Sequence, residues 1–435
     1  MKRLALLCLS FLFLLGIIVG CGNSEDSSTT ESNNEKGSES SEAENGDSEA
    51  VTLNFFQFKV EIADQLRAML DEFEAEHPNI KVKLETVGGG ADGTAALKAK
   101  FAAGEEPDIF YNGGFKQLDL WKEHLADLSN EPWVEHVLPI GKVPMTDDEG
   151  KLYGMPINLE GYGFIYNKDL FEKAGITEKP TTLSELQDAA KKLEESGITP
   201  FAAGYGEAFI TGQHLLNVAF AQQENPDEFI KGLYEGTETF VGNEQFEKFK
   251  QVVDTEIEYG SDNPLTTDYN TQVTLFASGE TAILQQGNWV ENMVYEINPD
   301  MNMGFLPIPL DDQAKADRLP VGVPNNWVIH KDSEHLEEAK TLLNWMVSSE
   351  AGKRYMTEEF AFIPAFDNIE PKGLGDLGQE ILKYSQEDKT IPWTWNQWPD
   401  GANDEFAAII QKYVAGQIEY EQLLEEFQGT WDNLK

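Results

Sequence analysis

The sequence predicts an α/β protein of two lobes, each a sheet with helices on its faces. Three observations carry this. About 385 residues follow an acidic, low-complexity stretch, too many for one ordinary core and suited to two. From residue 51 onward, alternating and helical hydrophobic periods take turns, strand then helix. The same rhythm restarts at GYGFIYN, residues 161–167.

Taken in order, VTLNFFQF (51–58) alternates and then turns apolar, as a strand entering a core does. Ile62, Leu66, Met69, Leu70 and Phe73 fall at helical spacing, and His77-Pro78 closes that helix. IKVKLETV (80–87) alternates again, GGGADG (88–93) is a turn, and a helix through Leu97 and Phe101 follows. EPDIFYNGG (106–114) reads as a short strand ending in a polar loop. In the second run, KPTTLSELQDAAKKLEESG (179–197) is a helix with a capping box at Thr182 and Glu185, ended by Gly197. Leu183, Leu186, Ala189, Ala190 and Leu193 line one face of it. Further helices are expected near 208–222, 226–234, 243–257 and 268–277, and TAILQQGNW (281–289) as a strand ending at a tryptophan. Helices at 333–348, 405–416 and 419–434 complete the chain.

The first twenty residues read differently. Lys2 and Arg3 precede an apolar run from Leu4 to Val19, sixteen residues against the roughly 20 needed to span a bilayer. This is the pattern of a secretion signal, 1–20. Ile18-Val19-Gly20-Cys21 resembles a bacterial lipobox, in which cleavage precedes a cysteine that is then acylated. Cys8 leaves with the signal, so Cys21 is expected as the sole thiol of the mature chain, consumed by lipid. The stretch 21–50 is then the lipidated cysteine plus an acidic tether. Residues 22–50 carry nine acids, one lysine and no aromatic or large aliphatic side chain.

Charge narrows the partners. The chain has a formal net charge of −45. Such a field makes nucleic acid and anionic headgroups poor partners, leaves the lipid as the only expected membrane contact, and disfavours an anionic ligand. Enzyme signatures are missing: no G-x-S-x-G, H-E-x-x-H or G-x-x-x-x-G-K-S/T occurs, and the six histidines are scattered. No catalytic residue, cofactor or metal site is expected. A glycoside hydrolase using Glu160 and an acid such as Asp400 is the rival from another class, and a surface lectin is the third reading.

GEEPDIF (104–110), GKLYGMPINLEGYGFIYNKDLFEKAGI (150–176), FASGETAILQQGNW (276–289) and GFLPIPL (304–310) stand in the order found in family 1 extracellular solute-binding proteins. The chain resembles that family, and distantly maltose-binding protein, from about residue 51 to 430. The resemblance implies a two-lobed periplasmic-binding-protein-like fold of type II, with a ligand cleft between the lobes and no covalent chemistry. It places lobe I at 51–161 plus 305–332, and lobe II at 162–304 plus 333–435. It also implies a monomer, lipid-anchored outside a Gram-positive-like cell. That monomer would bind a neutral mono- or oligosaccharide and deliver it to a two-subunit ABC permease with a cytoplasmic ATPase.

Site residues follow residue by residue. Glu160 resembles the position that gives a carboxylate to sugar hydroxyls; otherwise it is a solvated acid near a hinge. Tyr162 is either a ring and hydroxyl in the cleft or lobe packing. Trp289 resembles the family's stacking tryptophan, with Asn288 beside it as an edge contact or a helix cap. Trp327 follows Asn325 and Asn326, as a second platform or as core. Trp393, Trp395 and Trp398 lie in WTWNQWPDGAN among Asn396, Gln397, Asp400 and Asn403, and one or two of the rings are expected in the cleft, Trp395 first. Asp400 is a ligand contact or a turn residue. Phe58 stands where many members carry a tryptophan. Asn112 ends the PDI strand at the sheet edge where α/β proteins present ligand-facing loops, and Asp108 orders that loop.

Overall fold

The computed structural model describes residues 50–88, 92–313 and 316–435. The signal, Cys21 and nearly all of the tether, together with Gly89 and Gly90, lie outside the described residues. No helix among the described residues is long and apolar enough to cross a membrane.

The strands in chain order are Val51–Gln57 (β1), Ile80–Thr86 (β2), Ile109–Asn112 (β3), Met155–Pro156 (β4), Glu160–Asn167 (β5) and Thr199–Ala202 (β6). They continue with Thr281–Gly287 (β7), Met303–Leu306 (β8), Leu319–Gly322 (β9), Asn326–Ile329 (β10) and Thr390–Ile391 (β11). Two sheets result. The first runs β2-β1-β3-β10-β4, and the second β11-β9-β5-β7-β6 with β8 also paired to β5. In the first, β1 is parallel to β2 and β3, whereas β10 is antiparallel to β3 and β4. In the second, β5 is antiparallel to β7, β8 and β9.

Each sheet buries apolar side chains at the alternate positions that the sequence marks. Leu53, Phe55, Ile109 and Val328 enter a first core against Leu66, Met69, Leu70 and Phe73 of the helix Ala63–Glu76. The second sheet is covered on both faces, by one cluster through Phe164, Phe201 and Ile283 and another through Ile165, Leu284 and Phe305. Burial on both sides is why GYGFIYN and TAILQQG read as near-continuous apolar runs. The capping box forms as expected, with the Glu185 amide donating to Thr182 Oγ1 and the Thr182 amide to Glu185 Oε2. Gly197 ends that helix at φ +72°, a conformation open to glycine without strain.

The expected lobe boundaries need correction in two places. β9 and the end of β8 from residue 305, expected in lobe I, pair with β5 in the second sheet. The helix Leu336–Ser348, placed in lobe II, buries Ala339, Leu342, Leu343 and Met346 in the first core, and the chain stays there to Ile369 except for Ile363, which reaches the second sheet's cluster at the joint. Periodicity identifies the apolar face of each element but not the sheet that receives it. The helix Asp376–Gln386, not expected from the sequence, then packs on the second sheet through Leu377 and Ile381.

The chain therefore passes between sheets three times: after β4, after β9 and after Ile369. Two backbone bonds hold these passages side by side, Ile157 N to Asn325 O at 3.1 Å and Leu159 N to Ile363 O at 2.8 Å. Glu160 is the first strand residue beyond this joint.

Candidate ligand-binding site

At the joint a lysine and three carboxylates meet aromatic rings. Glu160 is 3% exposed, and its Oε1 accepts from Lys59 Nζ and from Asn158 Nδ2, the latter at 3.0 Å. Lys59 also donates to Glu61 Oε1 at 3.0 Å and lies 5.5 Å from the ring centres of Phe58 and Phe362. Burial alone would pull the Lys59 ammonium down. Glu160 and then Glu61 outweigh it, so the group is held above the ordinary lysine value.

Above Glu160 a pocket opens between the lobes. Asn288, Trp289 and Glu291 line it from the second lobe, and Glu61, Phe360 and Phe362 from the first. Its enclosed volume is about 20 Å³, room for about one water and too little for a sugar ring without movement of the lobes. Ala361, also in its wall, has φ +52°, a left-handed conformation that costs a non-glycine residue roughly 1–2 kcal/mol. Glu291 Oε1 accepts from the Leu377 amide at 3.0 Å, in the first turn of the helix Asp376–Gln386. Burial pushes the Glu291 carboxyl up to about 7 despite that bond.

Behind Trp289 lies a cluster of rings around His214. The Trp289 indole is half-buried, donates to Gln286 Oε1 at 3.1 Å, and sits 5.0 Å from the imidazole. Tyr162 stacks on His214 at 4.8 Å, Trp395 lies at 5.2 Å, and Phe209 meets it edge-on at 5.7 Å. His214 is carried on a π-helical turn, Phe209–Leu215, of the kind that recurs at functional sites. That turn packs so closely on the helix Ala402–Val414 that a Cβ on Gly212 would lie 2.1 Å from Asn403 O. Burial drives the imidazole down to about 3, leaving it neutral at physiological pH. A lone histidine within a helical pattern carries no sequence signal, and the sequence reading of the site passed over it.

The other expected residues divide between cleft, lobe contact and core. Tyr162 is fully buried; its hydroxyl donates to His214 O at 2.7 Å and accepts from Asn217. Trp393 and Trp395 pack 4.5 Å apart behind it, both under a tenth exposed. Trp398 stacks on Phe220 at 4.2 Å, and Trp327 meets Phe55 edge-on at 5.7 Å in the first core. Phe58 is half-buried against Tyr111 at 4.9 Å. Asn112 is 1% exposed and spends Oδ1 on the Gly114 amide, shaping its own loop. Asp108 orders its strand end through Asn54 N and Ser333 Oγ. Asp400 is exposed and pairs with Lys98 of the first lobe at 2.9 Å. Asn396 Nδ2 donates to Gly113 O at 2.8 Å, and Lys116 lies 5.2 Å over the Tyr234 ring. These last three contacts cross from lobe to lobe.

Two lobes joined by three parallel passages, with an aromatic and carboxylate pocket at the joint, define a hinged solute-binding protein of type II periplasmic-binding-protein-like fold. Residues 59–353 match the family of bacterial extracellular solute-binding proteins, and the chain belongs to it. Among relatives, it is 25% identical over 371 residues to the melibiose/raffinose/stachyose-binding protein MelE of Bacillus subtilis, covering 81% of this chain and 82% of that one. It is 21% identical over 387 residues to the multiple sugar-binding protein of Streptococcus mutans, covering 86% and 88%. The solved structure of RafE in complex with raffinose superposes with a TM-score of 0.76 at 21% identity, over 88% of this chain and all of that one. A sugar transporter of Bacillus licheniformis in complex with stachyose gives 0.73 at 25% identity, covering 88% of this chain and 100% of the other. The family is one of binding proteins rather than catalysts.

Proposed function

We propose that this protein captures a neutral oligosaccharide outside the cell and delivers it to the permease of an ABC importer. The observation that carries the reading is the pocket at the lobe joint, where the Trp289 ring and the Glu160 carboxylate line one space. A pyranose presents axial C–H groups that bury against an indole, while its hydroxyls donate to a carboxylate in a dry cleft. Relatives that bind raffinose, stachyose and melibiose support the choice of sugar class.

In this reading Glu160 accepts from sugar hydroxyls and Trp289 is the platform. Trp395, Trp393 and Tyr162 back that platform through His214. Phe58 borders the cleft from the first lobe. Asp400 meets Lys98, and Asn396 meets the loop of Asn112 and Gly113, across the closing edge, and Trp327 and Trp398 support the two cores. Cys21 carries the lipid, residues 22–50 tether the body to the outer face of the membrane, and the protein acts as a monomer.

Calorimetry against melibiose, raffinose, stachyose, maltotriose and chitin oligosaccharides tests the reading, with micromolar or tighter binding of at least one expected. Silence to every sugar, with a response to a peptide or an amino acid, would overturn it. Recovery of the bound sugar as shorter products after long incubation would favour a hydrolase instead.

A further inference from the structure

The two oxygens of Glu160 are not equivalent. Oε1 takes both the Lys59 ammonium and the Asn158 amide. Among the described residues no donor reaches Oε2, although the side chain is almost wholly buried and lines the pocket. That oxygen is left for a donor that enters from the pocket.

The surroundings are acidic. Glu61 and Glu291 line the same pocket, and Tyr269, a buried phenol pushed well up by burial and further by Glu61 and Glu160, lies close by. The neutral Asn288 and Asn292 also line the pocket, and Asn158 bonds Glu160 beside it. Lys59 is the one cation that the described residues bring to Glu160, and it is as buried as its partner. Without it, three carboxylates would share a small space with no counter-charge, and such a cluster takes up protons.

We propose that Lys59 is the positioning residue of this site. By holding Oε1 it keeps Glu160 a carboxylate that only accepts, so that Oε2 admits ligand groups that donate a hydrogen and turns away carboxylates and ether oxygens. Lys59 itself does not touch the ligand. It selects hydroxyl-bearing sugars over methylated or acidic ones by fixing the protonation state of its partner. This rests on the reading above, in which Glu160 faces the sugar.

The test compares the intact chain with Lys59→Gln, Lys59→Arg and Glu160→Gln. Carboxyl carbons of labelled glutamates are followed by NMR during a pH titration without sugar, and Glu160→Gln identifies the signal. In Lys59→Gln the Glu160 midpoint should rise by about one pH unit or more, and Lys59→Arg should restore it. With raffinose as the probe, the affinity of each variant is read as a ratio to the intact chain at the same pH between about pH 5.5 and pH 8, which removes the contribution of Glu291. Relative to the intact chain, Lys59→Gln should lose about twofold more affinity at about pH 5.5 than at about pH 8, the change expected of a carboxyl raised by roughly one unit.

An unmoved midpoint, or an equal loss of affinity at every pH, would make Lys59 a packing residue and overturn the inference. If raffinose does not bind the intact chain, the proposed sugar is wrong, and the carboxyl titration still decides the role of the lysine. Should the glutamine variant not fold, Lys59→Met keeps the stem without the charge and carries the same expectation.

Discussion

Truncating Trp398 and Trp289 to alanine, one at a time, separates a ring that holds the fold from a ring proposed to hold the sugar. Trp398 is 2% exposed, lies 4.2 Å from Phe220 and 5.9 Å from Phe406, and belongs to the second core. Its indole buries on the order of 200 Å² of surface, which at about 25 cal/mol per Å² is about 5 kcal/mol. That falls at the top of the roughly 3–5 kcal/mol lost when core tryptophans are cut back. No hydrogen bond is lost with it, because its Nε1 has no partner among the described residues.

Trp289 stands differently. It is half-buried at the pocket, and its removal leaves Gln286 Oε1 without its indole donor, a cost of about 1–3 kcal/mol in stability. In affinity, loss of a platform ring should cost about 2 kcal/mol, close to thirtyfold. Urea unfolding followed by circular dichroism reads the first quantity, and calorimetry with the tightest sugar of the panel reads the second. The reasoning fails if Trp289→Ala keeps full affinity, or if Trp398→Ala unfolds at the same urea concentration as the intact chain.

Three further outcomes follow from the packing. Glu256 is enclosed, accepts from the Tyr205 hydroxyl at 2.7 Å, and burial pushes its carboxyl from 4.5 up to about 7. A carboxyl raised on folding contributes stability at acid pH that is lost as pH rises through the folded value. Glu256→Gln should therefore gain roughly 2–3 kcal/mol on the intact chain between about pH 5 and pH 8, and parallel pH profiles would count against this. Gly212→Ala should cost at least about 2 kcal/mol by forcing the π-turn off the helix Ala402–Val414, measured by thermal melting. Lys98→Ala should change unfolding by less than about 1 kcal/mol, because both partners are exposed. It should still widen the solution scattering profile by loosening the closed lobes, and an unchanged profile would show that the pair does not hold them.

The fold was legible where the chemistry is local. Thr182 and Glu185 announce a helix start because the capping box involves only neighbours in sequence, and both of its bonds form. The alternation in VTLNFFQF and IKVKLETV gives two strands, which pair in parallel in register from Val51 opposite Ile80. What stayed hidden is what depends on distant partners. Nothing in GFLPIPL says that β5 rather than the first sheet receives its strand. The tryptophan loop shows the same limit. Its spacing admits one or two rings to the cleft without saying which, and in the structure Trp398 turns into the core while Asn396 reaches the opposite lobe. Lys59 follows the first strand directly, but its pairing with Glu160, about a hundred residues away, has no local signature.

The position of β10 in the first sheet has a consequence for synthesis. This strand, residues 326–329, lies between β3 and β4, which are complete by residue 156. At roughly 5–20 residues per second, some 10–30 seconds separate the neighbours from the strand that joins them. Throughout that interval the first lobe has an open gap in its sheet and lacks the helix Leu336–Ser348 that closes its core. The nascent chain is thus kept from locking its leading half while its trailing half is still being made. A protein that works outside the cell gains from this delay, because a chain that has not yet closed can still be threaded through a narrow channel.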